Sequence, residues 1–212
     1  MDVPWRSGRH GRGVLLVRGR PDAVAAWSRR GLLPVHVLPL PGWTAIVPAG
    51  PSRARAPYDD ALTVLAARPV PSRLRAAVGL FRVEDRAVVA LQPGGWRAIQ
   101  RWVVWEPGHG VVRSSRLPTA RPDELVAAAG LRDRRAVRDV AGLLHDPGGE
   151  AGGLLASLMD VLDLPGQGLL ADPLSAAGAE GSRLVEPDEG HLATFDSIVT
   201  DEARLRAEME GH

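Results

Sequence analysis

Apolar positions along this chain follow two rhythms. In the first half they come in short, nearly continuous runs or alternate with polar residues between Gly- and Pro-containing turns, which is strand patterning. In the second half they recur three, four and seven residues apart, which is helix patterning. The run Gly-Val-Leu-Leu-Val at 13–17 predicts a buried strand. Pro21 and Asp22 then open a helix, with Pro in the first turn and a carboxylate at the positive end of the dipole. Val24 and Trp27 share its inner face, and Gly31 stands where a C-cap belongs. Residues 34–40 and 43–47 flank Pro41-Gly42 and predict a hairpin, with Pro39 at a strand end or sheet edge. A Pro-, Ser- and Arg-rich loop at 48–57 leads into a helix at 58–67 with a Leu62, Leu65, Ala66 stripe, stopped by Pro69 and Pro71. A strand at 77–83 completes the order β-α-β-β-α-β, that of a ferredoxin-like fold.

Strand patterning continues beyond that unit. Glu84-Asp85, Pro93-Gly94-Gly95 and Glu106-Pro107-Gly108 are turn signals that separate strands at 86–91, 96–105 and 109–113. In 96–105, alternation puts Trp96, Ala98, Gln100, Trp102 and Val104 on one face and Arg97, Ile99, Arg101, Val103 and Trp105 on the other. Neither face is cleanly apolar, so both call for a cover, and the C-terminal segment is the nearest candidate. Helices follow at 122–129, with Gly130 as C-cap, at 133–145 and at 154–162. Residues 166–187 are rich in Gly, Ala, Pro and Ser and read as a linker or loose loop. A last helix at 192–209 has Leu192, Phe195, Val199, Leu205 and Met209 as its apolar positions. The fold class is therefore α+β: a ferredoxin-like βαββαβ order extended by an antiparallel β-meander, followed by a helical C-terminal region. Its expected parts are a flexible basic arm at 1–12, a sheet domain at 13–116, a helical region at 117–165, the linker at 166–187 and a C-terminal helix at 188–212.

Composition adds three constraints. The 212 residues are 45% hydrophobic and 24% charged, ordinary for a globular protein, and six of the nine aromatics are Trp. All 26 basic residues are Arg, with no Lys and no Asn, a bias that suits a high-GC bacterial coding sequence. Without Lys there is no P-loop lysine, no Schiff-base amine and no kinase strand lysine. Without Cys there is no disulfide, thiolate metal ligand or Cys nucleophile. Charge is segregated: residues 1–121 hold 19 Arg against 7 acids, a balance of +12, and residues 122–212 hold 7 Arg against 18 acids, a balance of −11. Such a split points to an acidic partner for the basic half, or to the acidic region covering the basic one within the chain or across a dimer. No apolar run approaches the roughly 18 residues of a bilayer span, and no apolar segment follows the N-terminal charges, so the expected setting is cytoplasmic, with no membrane partner.

Chemistry-bearing motifs are few. The glycines at 8, 11 and 13 precede a strand rather than follow one, the wrong context for a dinucleotide fingerprint. The six histidines show no H-x-x-x-H or H-x-H spacing, so no metal site is assigned. The segment His145-Asp146-Pro147-Gly148-Gly149-Glu150 groups three potential ligands around a turn, yet a helix–helix connection needs the same residues. Glu84-Asp85 belongs to a turn and Asp59-Asp60 to a helix start, and no G-x-S-x-G elbow occurs. No catalytic residue and no cofactor is assigned.

What remains is a concentration of Trp and Arg on one strand: Trp96, Arg97, Arg101, Trp102 and Trp105 form the candidate interaction surface. The chain therefore reads as a non-enzymatic interaction or regulatory protein with a basic, Trp-containing sheet domain and an acidic helical C-terminal region, its partner another protein or a second copy. Nucleic acid, held by the Arg-rich half, is the alternative partner, although the aromatic RNA-recognition signature is absent. A small-molecule enzyme with an unidentified pocket is the third reading.

Overall fold

The computed structural model of the chain describes residues 11–95 and 98–210. Residues 1–10 of the arm expected at 1–12, Trp96, Arg97 and the last two residues lie outside that description, and Arg12 belongs to the first strand. Eight strands form one antiparallel sheet. The first four are β1 (Arg12–Val17), β2 (Val35–Leu40), β3 (Trp43–Pro48) and β4 (Ala77–Val83), with α1 (Pro21–Ser28) and α2 (Ala61–Ala67) between them. In space these four run β4-β1-β3-β2, each antiparallel to its neighbour, which is the ferredoxin-like arrangement. The meander β5 (Arg86–Gln92), β6 (Arg101–Glu106) and β7 (Gly110–Val111) extends the sheet from β4, and β8 (Arg183–Val185) adds to the β2 edge.

Nearly continuous apolar strands make sense only if both faces of the sheet are covered, and they are. On β1 the period of two sends Val14 and Leu16 to one face, Leu15 and Val17 to the other. The second face is closed by α1 and α2 through Val24, Trp27, Leu62 and Leu65. The first is closed by the C-terminal helices α3 (Pro122–Ala129), α4 (Arg134–His145), α5 (Ala151–Val161) and α6 (Gln167–Ala171) through Leu125, Val140, Leu155, Leu158 and Leu170. At about 1.5–3 kcal/mol for each fully buried large aliphatic side chain, these two interfaces dominate the energetics of folding.

Local chemistry sets the helix ends. Asp60 and Asp133 cap α2 and α4, accepting from the backbone N–H groups of Thr63 and Arg135. Gly130 ends α3 in the left-handed conformation at φ 87°. On the sheet, the Phe81 ring lies over Gly13 and Gly79: a Cβ on either glycine would come within 2.2 and 2.4 Å of the ring, so no larger residue fits there.

Three expectations need amendment. β6 begins at Arg101 rather than at residue 96, and residues 98–100 are irregular; Arg75 holds that stretch by donating to the Ala98 carbonyl. Residues 166–187 are not a loose linker: they form α6, a 3₁₀ segment at Pro173–Gly178 and β8, with Leu169, Leu170, Ala176 and Val185 buried. Each piece is too short for periodicity to reveal. The last helix, α7 (Glu189–Glu210), starts three residues earlier than expected, and no residue described along it is fully buried.

Candidate functional site

The meander places Trp102 and Trp105 inside the protein. Alternation along β6 holds as the pattern implies: Trp102 and Val104 face the α1/α2 layer, Val103 and Trp105 the α3–α6 layer. Trp102 is 2% exposed and Trp105 0%, so neither indole presents a surface to a partner. Trp105 donates its indole N–H to the Asp146 carbonyl at 3.0 Å. Arg101 is half-buried and pairs with Glu124 of α3 at 2.9 Å. These three residues fasten the meander to its neighbours. Trp96 and Arg97, the other two of the set, lie outside the described residues.

The segment 145–150 serves the same fastening. Besides the Asp146 carbonyl, its Pro147 carbonyl accepts from Gly108 of the β6–β7 turn at 2.8 Å, while the Asp146 carboxylate accepts from the Gly148 N–H. The carboxylate is thus occupied in shaping its own turn. Among the described residues, no group of three His, Asp or Glu side chains could hold a metal ion. His36 is half-buried on β2, His109 approaches the Pro107 carbonyl, and His145 and His191 are exposed on separate helices. Among the described residues, no helix is long and apolar enough to cross a membrane.

Arg and Trp do meet, but elsewhere than β6. The Arg18 guanidinium lies 3.9 Å from the Trp43 ring centroid and donates to the Ala129 carbonyl at the end of α3, joining β1, β3 and the helical layer. Arg68 stacks at the same distance on Trp27 and donates to the Trp27 carbonyl. Burial lowers the pKa of Arg68 from its ordinary value to about 10. Both stacks join elements far apart in sequence, and for that reason strand-by-strand reading does not find them.

Two outward features are left. The first is basic: Arg20, Arg29, Arg30, Arg55 and Arg73, all on the layer built from α1, α2 and their loops, are exposed and have no carboxylate partner among the described residues. Arg53 in the same layer pairs with Glu186 at 3.3 Å, and Asp22 with Arg183 at 3.1 Å.

The second is α7. At 100° per residue its apolar side chains fall into two stripes roughly a quarter-turn apart. Leu192, Phe195 and Val199 are half-buried against the chain's own domain, with Phe195 edge-on to Tyr58 at 5.0 Å. Ile198, Leu205 and Met209 point elsewhere and are 54%, 54% and 73% exposed. Over the same helix Arg204 pairs with Asp201 of its own turn.

No family model matches this chain, and neither the curated proteins nor the solved structures provide a match. The fold and its surfaces must therefore carry the functional reading.

Proposed function

We propose that this protein is a non-enzymatic interaction or regulatory protein, in which the covered sheet is the scaffold and α7, acidic and half-unpacked, is the interacting element. The observation that carries the reading is the second stripe of α7. A helix that buries only its first stripe has no intramolecular reason to place Ile198, Leu205 and Met209 in line on its outer side. Ile198, Leu205 and Met209 gain little from their own chain, and a short helical stretch is marginal in water without packing.

The test is thermodynamic. A chain ending at Thr200 is expected to unfold in urea, at dilute concentration, within about 1 kcal/mol of the full chain, because exposed positions away from packing contribute little. A loss above about 3 kcal/mol would make the outer half of α7 part of the structural core and refute the assignment. The unpaired arginines of the α1/α2 layer favour a second reading, a nucleic-acid partner. Fluorescence anisotropy with mixed oligonucleotides should then show affinity falling steeply between 50 and 200 mM salt, by about a thousandfold for a set of six or more phosphate contacts. Absence of binding at low salt removes that reading.

A further inference from the structure

We propose that the partner of α7 is a second copy of this chain, and that its exposed stripe lies on the arginine-rich α1/α2 layer of that copy, with the reciprocal contact made about a twofold axis. The inference rests on the reading of α7 as an interaction element and names what it meets.

Charge decides among the occupants. Residues 189–210 carry six carboxylates and two arginines, a net −4, so two such helices laid against each other repel. The matching surface must be basic, and this chain supplies one. Residues 20–75 hold eight arginines against three carboxylates, and Arg20, Arg29, Arg30, Arg55 and Arg73 are exposed without a carboxylate among the described residues.

Among the described residues, little of that match is used within one copy. Only Arg53–Glu186 and Arg101–Glu124 join an arginine of the first 121 residues to a carboxylate of the remainder among the described residues, apart from pairs made by Arg121 within its own helix turn. The helical region α3–α6 covers its sheet face by apolar packing. Few ion pairs therefore join the +12 and −11 halves among the described residues, and a second copy offers a complement to the exposed arginines of the α1/α2 layer.

Geometry agrees with reciprocity. α7 leaves the body at the basic layer, where the Asp188 N–H donates to the Arg29 carbonyl and Phe195 meets Tyr58. About 33 Å of helix follows from that root, by 1.5 Å per residue over 22 residues. Its second stripe is turned away from its own layer, available to the equivalent layer of a twofold-related copy.

Light scattering on the full chain tests this. At about 20 mM salt the molar mass should approach twice the 22.6 kDa of one chain. The dissociation constant should rise about tenfold or more by 0.5 M salt, where screening acts within a few ångströms. L205D with M209D should be monomeric, and so should R55E with R73E, each with an unchanged far-ultraviolet spectrum. Mixing those two variants should restore dimer, since one of the two reciprocal contacts is then intact on each pair. A full chain that stays at 22.6 kDa under all these conditions overturns the dimer, while the urea comparison above independently decides the role of α7. Association that tightens with salt, or an R55E with R73E variant that dimerises on its own, overturns the placement on the arginine layer, because either result indicates contact between like helices; a mixture that stays monomeric while the full chain dimerises overturns it as well.

Discussion

Replacing Trp105 by Ala separates a structural meander from an interactive one. The side chain has no exposed surface, its ring lies in the core between β6 and the α3–α6 layer, and its N–H is bonded to the Asp146 carbonyl at 3.0 Å. Truncating a buried Trp removes the transfer free energy of the indole and leaves a cavity the surroundings fill only in part, together about 3–5 kcal/mol. The lost hydrogen bond adds little, about 0.5–1.5 kcal/mol, because Asp146 is exposed and water can replace the donor. At about 2–4 °C per kcal/mol for a chain of this size, the melting temperature should fall by roughly 6–20 °C. Far-ultraviolet circular dichroism during urea and thermal unfolding is the suitable assay, since six tryptophans blur fluorescence. Trp105→Phe should cost about 1–2 kcal/mol, keeping most of the ring volume. A Trp105→Ala loss below 1 kcal/mol would refute the reasoning: the ring would then lie at a surface, and the meander would again be a candidate contact face.

Three further substitutions follow from the packing. Gln92 is buried, accepting from the Val70 N–H at 2.6 Å and donating to the Arg68 carbonyl at 2.9 Å, so Gln92→Leu should cost about 2–4 kcal/mol in urea unfolding by leaving both backbone groups unpaired. Gly79→Ala forces a methyl into the Phe81 ring and should cost about 1–3 kcal/mol, with Phe81→Leu in the same chain recovering part of it. Arg68→Met should change stability by an amount that is constant from pH 6 to 9. The folded pKa of about 10 lies below the ordinary value, so the unfolded chain holds the extra proton only above about pH 10, and this group's contribution rises with pH only there. A difference that drifts by more than about 1 kcal/mol between pH 6 and 9 would mean that the group titrates in that window.

Most of the fold is legible in the sequence because two signals agree. Strand runs at 13–17, 77–83 and 86–91 are apolar and nearly continuous, broken only by Arg82 and opened by Arg86, which requires burial on both faces, and α1 with α2 on one side and α3 to α6 on the other meet that requirement. Turn residues then limit the register. What escapes is whatever depends on contacts distant in sequence. The Arg18–Trp43 and Arg68–Trp27 stacks join elements up to 41 residues apart, and β8, three residues long, exists because the β2 edge is there to pair with. Of the candidate surface, Trp102 and Trp105 are buried and Arg101 is half-buried, while Trp96 and Arg97 lie outside the described residues. Clustering of Trp and Arg on β6 marks a place where large side chains are needed, and a strand between two layers needs them for packing as much as a surface needs them for binding. The helical wheel of α7 does hold the missing signal: Ile198 falls outside the stripe of Leu192, Phe195 and Val199 and groups with Leu205 and Met209. One helix with two apolar stripes is asking for two partners.

Backbone amide exchange along residues 200–209, followed as a function of protein concentration at low salt, tests the central claim most directly. With Leu205 and Met209 exposed, this part of α7 should exchange close to the rate of an isolated helix end in dilute solution and become protected as concentration rises and a second copy covers it. Protection that is already full at high dilution, or fast exchange at every concentration, would contradict the account.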